Sequence, residues 1–306
     1  MKKLILALLA TLVIGKLLAQ DDVQLSQVYS NKLYYNPAAT GASDMMYISG
    51  AYRGQWLGSS EIGKGLRPSY LLFNVSQFFW EQRSGVGLTI YDQRQSVNHT
   101  FQIKGSYAYH MQLDEAAWLA LGINGGLVWR SITGSMVPDP SLPVGWADYK
   151  SGIISDLGLG AEYYTPELCV GLSGQHIPLV FGTVDAKMHM HWYYYMTYFY
   201  KYDRDWRFIP MVTLRSSSFI HSFDVSVRAS YLDMFQIGLS ARMDALSILL
   251  GLNLNNTLSI GYSFDISMSY MNKRGGRPSH EIVLSYRAQV LDSYNDLDRL
   301  YRQEDF

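Results

Sequence analysis

Apolar and polar residues alternate with a period of two along most of the chain after its first 46 residues. In the segment 101–110, for example, Phe101 and Ile103 alternate with Gln102 and Lys104. Because successive side chains of a strand point to opposite faces, this pattern gives each segment one apolar and one polar face. The sequence therefore predicts an all-β chain of about 14 strands. The predicted segments lie near 47–56, 69–80, 84–92, 99–110, 117–129, 154–164, 167–177, 188–200, 206–214, 222–230, 234–242, 245–254, 257–266 and 279–290.

The connections between these segments fall into two alternating classes. Long connections such as 57–68 and 130–153 follow odd-numbered segments, whereas tight turns such as 165–166 follow even-numbered ones, and the short gap at 243–244 departs from this rule. Outer-membrane barrels have long external loops and short periplasmic turns. A soluble sandwich or propeller is the alternative, but sandwich strands are shorter and a propeller would repeat about every 40–50 residues. The segment 47–290 is therefore predicted to be a transmembrane antiparallel β-barrel.

The N-terminus has the layout of a secretory signal peptide. Two lysines precede an apolar core from Leu4 to Gly15, and Ala19 is a small residue suited to cleavage. The apolar run is shorter than the roughly 20 residues that a spanning helix needs, and no cysteine follows the cleavage site, which disfavours a lipoprotein. Residues 1–19 are therefore predicted to be removed on export. Since no later run reaches about 18 apolar residues, the exported chain is either soluble or a barrel.

Composition narrows the possible functions. Only 17% of the residues are charged and 14% are aromatic, whereas soluble domains carry about 25% charged residues. The net charge of -1 and the absence of a Lys/Arg cluster argue against a nucleic-acid partner. The single cysteine, Cys169, excludes an internal disulfide and a multi-cysteine metal site, and we expect it to be a small residue of the lumen.

The sequence offers little support for catalysis or metal binding. No Ser or His stands in a nucleophile elbow or another recognisable catalytic spacing, so the chain is predicted not to be an enzyme and no cofactor is implied. His189 and His191 are two residues apart on a predicted strand, which would place both imidazoles on the lumen face about 7 Å apart. Two imidazoles make an incomplete metal site, so a polar pair without metal is the preferred interpretation.

The residues between the predicted cleavage site and the first strand, 20–46, follow neither a strand nor a helix pattern, and their Asn-Pro step disfavours a helix at Asn36. Three tyrosines in this segment would be costly to leave in solvent. We therefore expect the segment to fold into the lumen as a plug, with Gln27 and Asn36 hydrogen-bonded to the barrel wall.

Several charged residues occupy the polar face of the predicted strands. A charge that faces the bilayer costs about 2–4 kcal/mol at the midplane, so these side chains are predicted to point inward or to lie near a rim. Arg53 and Gln55 are expected to contact the plug, because they belong to the strand that follows it. The charged residues of the predicted inner face are Arg53, Lys104, Glu162, Arg228 and Arg242.

The chain continues beyond the last predicted strand into a tail, 291–306. Leu297, Leu300 and Tyr301 lie at positions i, i+3 and i+4, as they would on one face of a short helix, although a frayed solvated tail fits equally. An even number of strands returns the chain to the periplasm. The tail is therefore predicted to be periplasmic.

The region before and within the first strand carries a recognisable signature. The stretch from Ser26 to Gly41, which includes the run Asn-Pro-Ala, is followed by Tyr-Arg-Gly-Gln-Trp at 52–56. This region resembles the PorP/SprF family of Bacteroidetes outer-membrane proteins over about residues 24–74, and beyond it the resemblance is one of strand count and style. The residues that carry the signature are Gln27, Tyr29, Asn31, Tyr34, Asn36, Pro37, Gly41, Arg53, Gln55 and Trp56.

The resemblance implies a non-enzymatic component of the type IX secretion system or of its gliding-motility branch. A barrel of this family is needed to deliver proteins with a C-terminal sorting domain to the cell surface. The implied partners are outer-membrane lipid, the subunits of the periplasmic ring, and the secreted sorting-domain proteins.

A second resemblance points to a different class of function. An Asn-Pro-Ala run after an exported N-terminus is also similar to the FadL-type transporters of hydrophobic compounds, which have fourteen strands and an N-terminal hatch. This alternative would make the chain an outer-membrane channel for small molecules. The run from Arg53 to Trp56 favours the secretion family instead.

Overall fold

The computed structural model describes most of the chain between Gln24 and Ala288. The predicted signal peptide, 1–19, and the predicted tail, 291–306, lie outside the described residues, as does most of the connection predicted at 130–153. The described ranges are 24–43, 45–57, 67–79, 81–132, 149–177, 189–217, 221–255, 257–268 and 277–288.

Fifteen strand segments form a closed antiparallel barrel of fourteen strands. β8 and β9 are two parts of one barrel strand that is interrupted at Phe199, since both pair with β10. Each strand pairs with its neighbour in the chain, and β15 pairs with β1 to close the ring. The predicted all-β barrel of about 14 strands is confirmed. The segments are β1 (Met46–Gly54), β2 (Ser69–Phe79), β3 (Ser84–Gln95), β4 (Asn98–Gln112), β5 (Trp118–Ile132), β6 (Tyr149–Tyr164), β7 (Leu168–Gln175), β8 (His191–Tyr198), β9 (Tyr200–Lys201), β10 (Trp206–Ser217), β11 (His221–Tyr231), β12 (Phe235–Arg242), β13 (Ala245–Leu254), β14 (Leu258–Ser267) and β15 (Ser279–Ala288).

The alternation seen in the sequence separates an apolar outside from a polar inside. On β4, Gln102, Lys104 and His110 are buried within the barrel, whereas Tyr107 and Tyr109 are exposed on its outer surface. Some inward side chains hydrogen-bond to one another, as Gln102 does to Asp156 and Lys104 to Gln175, and outward positions provide the apolar surface that a membrane barrel presents to lipid. The five charged residues predicted to face inward are all buried.

The two rims of the barrel differ in their connections. The turn rim is formed by the short connections 113–117, 165–167, 202–205 and 232–234, among others, and the loop rim carries the long ones, such as 55–68. This asymmetry agrees only in part with the prediction, because three connections on the loop rim are also short: 96–97, 218–220 and 243–244. In outer-membrane barrels the short turns face the periplasm.

Exposed aromatic residues gather near the turn rim on the outer surface, where Tyr107, Tyr109, Tyr200 and Tyr286 are each between 44% and 49% exposed. Rings at this level suit a lipid interface, because the ring sits among acyl chains while its hydroxyl meets headgroups. Not every aromatic at a strand end belongs to this band. Phe78, Tyr164 and Phe199 face inward and are buried, since they alternate with their neighbours.

Two of the differences from the sequence prediction concern the β5–β6 connection and the N-terminal segment. β5 continues to Ile132 and β6 begins at Tyr149, so both ends of the connection predicted at 130–153 are strand. In the segment predicted to lack helix, Lys32–Tyr35 form one helical turn. The turn ends at Asn36, whose backbone is extended as expected before a proline. None of the described helices is long and apolar enough to cross a membrane.

Candidate functional site: the N-terminal segment and the inner wall

The N-terminal segment, Gln24–Gly41, is buried against inward-facing side chains of the barrel. Its backbone and side chains hydrogen-bond to residues of β4, β6, β8 and β15, which lie on different sides of the ring. Leu25 and Tyr35 are each 1% exposed and Asn36 is fully buried. The segment therefore lies inside the ring of strands.

An ionic cluster near the loop rim holds the start of this segment. The Glu281 carboxylate accepts hydrogen bonds from the backbone N–H groups of Ser26 and Gln27, at 2.8 and 2.9 Å. Arg53 donates to Glu281 at 3.2 Å and to Ser26 Oγ at 3.0 Å, and it pairs closely with Asp265. Ser26 Oγ donates to Asp265 at 2.6 Å. We call Ser26, Arg53, Asp265 and Glu281 the loop-rim cluster.

The register of the closing strands explains why the loop-rim cluster forms. Arg53 on β1 lies directly opposite Glu281 on β15, and Glu281 lies opposite Ser263, two residues before Asp265 on β14. All three charged side chains point inward and are at most 2% exposed. Removing one member of such a buried network leaves an uncompensated charge, which typically costs about 3–5 kcal/mol. The cluster thus connects the barrel seam to the N-terminal segment.

A second cluster surrounds Lys32 in the middle of the segment. Its Nζ lies 3.8 Å from Glu162 Oε2 and 3.6 Å from Cys169 Sγ. Glu162 also accepts a hydrogen bond from Tyr195. Burial would lower the pKa of Lys32, but the neighbouring Cys169 and Glu162 outweigh it and raise the pKa above its usual range. Lys32 therefore carries its charge at neutral pH.

A third polar group, on β4, β6 and β7, reaches the segment through Gln175. Lys104 Nζ lies 2.7 Å from Asp156 and donates to Gln175 Oε1 at 3.1 Å. The Gln175 amide in turn donates to Tyr35 O at 3.2 Å. The buried lysine on the predicted inner face thus takes part in holding the backbone of the N-terminal segment.

Asn36 uses its side-chain amide to shape the segment and to attach it to the wall. Its Oδ1 accepts from Ala38 N at 3.0 Å, which stabilises the turn that begins at Pro37. Its Nδ2 donates to Ala161 O at 3.1 Å and to Tyr195 Oη at 3.0 Å. An asparagine at this position therefore satisfies one backbone donor of the segment and two acceptors of the barrel.

A row of small residues on adjacent strands receives the turn at 36–41. A Cβ added at Gly122 would collide with the backbone of Pro37 and Ala38, and one added at Gly160 would collide with the Asn36 side chain. The wall can therefore approach the segment only where side chains are absent or small. We call this the small-residue row; its members, paired in register, are Gly85, Ala108, Gly122, Gly160 and Ser173.

The end of the segment turns at Thr40 and Gly41. His110 Nε2 donates to Thr40 O at 2.8 Å, and its Nδ1 accepts from Tyr164 at 3.0 Å. Gly41 has a φ of 70°, and a Cβ there would approach the Cα of Gly85 to 2.7 Å. Both the left-handed backbone and the close approach require glycine.

The other signature residues before the barrel contact the wall or one another. Gln27 Nε2 donates to Tyr262 O at 3.1 Å, and Asn31 Nδ2 donates to Gln27 O at 3.0 Å. Tyr29 packs edge-on against Phe199, and the ring centroids of Tyr34 and Tyr91 are 5.4 Å apart.

The signature residues after Arg53 lie at the loop-rim end of β1. The N–H of Gln55 donates to Pro68 O at 2.9 Å, and its side chain is half-buried. Trp56 has a φ of 51°, and its N–H donates to Ser279 Oγ at 3.4 Å. Both residues shape the start of the β1–β2 connection, whereas Arg53 reaches the N-terminal segment directly.

The predicted pairing of His189 with His191 on one strand face is wrong. β8 begins at His191, so His189 precedes the strand and is exposed. His191 instead lies beside His176, with ring centroids 5.3 Å apart. Within the described ranges, no group of three residues of metal-binding type is close enough to hold an ion.

Several residues that hold the segment are not identified by the sequence pattern alone. Asp265 and Glu281 alternate with apolar neighbours, so their inward direction could have been read from the pattern, but their proximity to Arg53 depends on register. His110 was on the predicted polar face without an assigned role. The small-residue row gave no local signal, because its glycines are far apart in the sequence.

Comparisons with known proteins agree with this architecture. The chain matches the family model for the type IX secretion system membrane protein PorP/SprF over residues 17–286. It is similar in fold to the Ralstonia pickettii toluene transporter TbuX, with 10% identity, a TM-score of 0.52, and coverage of 84% of this chain and 92% of that one. The CymD monoaromatic hydrocarbon channel is similar to the same degree, with 10% identity, a TM-score of 0.52, and coverage of 85% and 92%. A search of curated proteins finds no significant match.

The family match covers most of the chain, and the structural likenesses at this low identity support the barrel fold alone. The barrel is closed, its exterior is apolar, and the solved structures that it resembles are membrane barrels. The protein is therefore an outer-membrane protein. The chain belongs to the PorP/SprF family of type IX secretion system membrane proteins.

Proposed function

We propose that this protein is a non-enzymatic outer-membrane component of the type IX secretion system or its gliding-motility branch, and that it supports the delivery of sorting-domain proteins to the cell surface. Family membership supports the system. The observation that carries the proposal is the attachment of the N-terminal segment to the inner wall by the loop-rim cluster and the small-residue row. In this proposal the segment is a plug, and the barrel is a closed scaffold on which secretion components assemble.

The chemistry of the lumen favours this function over a channel for hydrophobic molecules. Small-molecule sites are mostly apolar with a few placed polar groups. Around the N-terminal segment the wall instead presents buried ions, including Arg53, Glu162, Asp265 and Glu281. An apolar molecule passing between these groups would strip their hydrogen bonds without replacing them, at a cost of about 1–3 kcal/mol for each group left unsatisfied.

A FadL-like channel is the second candidate, because the barrel is similar in fold to a toluene transporter and to a monoaromatic hydrocarbon channel. In that case the N-terminal segment would act as a hatch that moves to admit the compound. The same ionic contacts that favour a fixed plug would then have to break during each transport event.

The proposed partners follow from the two rims and the outer surface. Lipid contacts the apolar exterior and its aromatic band. The periplasmic ring subunits are proposed to contact the turn rim, which faces the periplasm in barrels of this kind. Secreted proteins with C-terminal sorting domains are the proposed cargo.

Affinity purification in mild detergent tests the proposal against its alternative. The tag is inserted at the connection 96–97 on the loop rim, away from the proposed ring contacts, so both termini stay native. Copurification of ring subunits and sorting-domain proteins, identified by mass spectrometry, is the expected result. A second barrel of similar size from the same membrane, tagged in an external loop, is the control for nonspecific capture.

The channel alternative predicts the opposite result. The barrel would purify alone, and cells that lack it would take up a radiolabelled monoaromatic compound several-fold more slowly than the wild type. If uptake falls while surface delivery of sorting-domain proteins is normal, the secretion proposal is wrong.

A further inference from the structure

β6 is longer than the strand that follows it, so part of its length extends past its neighbour. β6 has 16 residues, whereas β7 has 8. The pairing of β6 with β7 reaches Leu159, which lies opposite Gly174. One further bond continues the ladder toward the loop rim, from the N–H of Ile177 to the carbonyl of Leu157 at 2.9 Å. Among the residues that the structure describes, no strand pairs with this side of β6 beyond Leu157.

The backbone of His176 accounts for the end of β7. This residue has a φ of 58°, in the left-handed region, which interrupts the extended backbone that a ladder requires. Its imidazole Nδ1 lies 3.0 Å from the Asp156 carboxylate of β6. β6 continues to Tyr149 because its other side stays paired with β5, as at Ile153 opposite Trp129.

The unpaired side of β6 presents backbone donors and acceptors. Alternate residues of an antiparallel strand direct their N–H and C=O groups to opposite neighbours. Since the carbonyl of Leu157 points toward β7, the N–H and C=O groups of Ser155 and Ile153 point to the same side. Both residues are exposed, Ile153 at 56%. We call residues 153–157 the open edge; its backbone groups have the spacing that another strand complements.

The open edge lacks the features that usually prevent edge strands from pairing with other chains. Edge strands commonly carry lysine or other charges, or proline, at their exposed positions. Here the exposed positions are an isoleucine and a serine. The irregular register of β6 against β5, at Trp129 and Ser131, lies at the loop-rim end of the open edge and limits its length. A short regular edge therefore remains available for pairing.

The open edge is also held in place from the inside of the barrel. Asp156 faces the lumen, where it accepts a hydrogen bond from Gln102 at 2.5 Å and lies 2.7 Å from Lys104 Nζ. On the β5 side, Ser155 lies opposite Leu127. A strand that is already ordered loses little conformational entropy when a second strand pairs with it. The open edge is therefore preorganised for strand addition.

We propose that the open edge binds an extended segment of a secreted protein by β-strand addition, antiparallel to β6. Main-chain hydrogen bonds supply the affinity in this mode of recognition, and alternate side chains supply the specificity. Residues of the added strand beside Ile153 face outward and are apolar. Those beside Asp156 face the lumen and are small and uncharged, because Asp156 already has cationic partners.

The position of the open edge supports this occupant. β6 begins at the loop rim, which faces the outside when the short turns face the periplasm. A polypeptide that is delivered to the cell surface reaches this rim. The choice of a secreted protein rests on the proposed function, whereas the open edge itself rests on the pairing of β5, β6 and β7 alone.

A fluorescent peptide tests strand addition on the full-length barrel in lipid nanodiscs. The probe is a peptide of about ten residues in which valine and threonine alternate, with fluorescein on a terminal lysine. With the valines beside Ile153, an antiparallel strand directs its valine N–H groups toward β6. Methylating the valine nitrogens should therefore weaken binding, measured by fluorescence anisotropy, about tenfold or more. Methylating the threonine nitrogens is the matched control and should change binding by less than about twofold.

Two variants of the protein locate the binding site. Ser155→Pro removes an N–H that points away from β5, and proline is tolerated on edge strands, so the barrel keeps its ladder. Ile153→Lys places a charge on the open edge. Each should weaken binding of the unmethylated peptide about tenfold or more, whereas Ser155→Ala keeps the N–H and should bind as the wild type does. Heat-modifiable migration confirms that each variant forms a barrel.

Three results would overturn the inference. The wild type could fail to bind the peptide, or the two methylated peptides could bind equally well. Binding that is unaffected by both Ser155→Pro and Ile153→Lys would place the peptide elsewhere on the barrel. If the wild type instead forms a dimer that Ser155→Pro abolishes, and the peptide does not bind, the occupant is a second copy of this chain and the assignment to a secreted protein is wrong.

Surface delivery in cells separates this inference from the proposed function. In a deletion strain, Ser155→Pro should restore delivery of sorting-domain proteins several-fold less well than Ser155→Ala. If deletion abolishes delivery and Ser155→Pro restores it fully, the secreted occupant is wrong while the proposed function stands. If deletion leaves delivery normal and the peptide still binds at the open edge, the proposed function fails and strand addition at the open edge stands.

Discussion

Arg53 and Glu281 face each other across the junction of β1 and β15, where the barrel closes, and the same Glu281 carboxylate binds the backbone of Ser26 and Gln27. The seam of the barrel and the start of the N-terminal segment therefore share one ionic group. Because the group is almost fully buried, closing the barrel and docking the segment are energetically coupled.

Glu281→Ala should destabilise the barrel by about 3–5 kcal/mol, because Arg53 would lose a partner and two backbone N–H groups would lose their acceptor. The midpoint temperature of heat-modifiable gel migration measures this loss. Glu115→Ala, in an exposed turn, is the control and should change the free energy of unfolding by less than about 0.5 kcal/mol. Equal midpoints for the two variants would show that the loop-rim cluster adds no stability.

Gly122→Val should displace the N-terminal segment, because the new side chain would occupy the position of the Pro37 and Ala38 backbone. Overpacking of this kind usually costs about 1–3 kcal/mol, and here the obstructing atoms are backbone. Gly105→Val is the matched control, since a Cβ at Gly105 meets no atom within 4 Å. Protease cleavage within 24–41 should rise several-fold in the first variant and stay at the wild-type rate in the second.

Lys32→Met should destabilise the protein by about 3–5 kcal/mol by leaving Glu162 buried without its cation. The raised pKa of Lys32 means that its stabilising contribution is present below the ordinary lysine pKa of about 10.4 and is lost only above the raised value. The difference in unfolding midpoint between the variant and the wild type should therefore stay constant from about pH 6 to pH 9. A difference that disappears within this range would contradict the assignment of the charge.

Deleting residues 24–41 should open a conducting pore, since the segment lies inside the ring of strands. Planar-bilayer recordings should show little conductance for the intact protein and stable single-channel steps for the deletion variant. The variant must first show heat-modifiable migration as evidence of a closed barrel. Large, steady conductance from the intact protein would refute the plug.

Much of the barrel could be predicted from the sequence because alternation is a local property. The outward direction of Tyr107 and the inward direction of Lys104 follow from the alternation of side chains along β4. The number of strands follows from counting the alternating segments. The burial of Tyr34 and Asn36 could also be anticipated, because a short segment with several tyrosines needs an apolar or aromatic environment. These inferences use only neighbours along the chain.

The contacts of the site depend on register, which the sequence does not encode locally. Gly85, Gly122 and Gly160 form one row only because their strands pair with particular offsets. Glu281 lies 228 residues from Arg53 in the chain, and nothing near either residue identifies the other. His189 was misplaced for a related reason, since the start of β8 at His191 is set by pairing with β7 and β10.

Surface delivery in a complemented deletion strain tests the central claim most directly. Cells that lack the protein are complemented with the wild type, and the fraction of sorting-domain proteins reaching the surface is measured by protease shaving and mass spectrometry. The account predicts that delivery is lost on deletion and restored by the wild type, while uptake of a monoaromatic compound does not change. Normal surface delivery in the deletion strain would contradict the account.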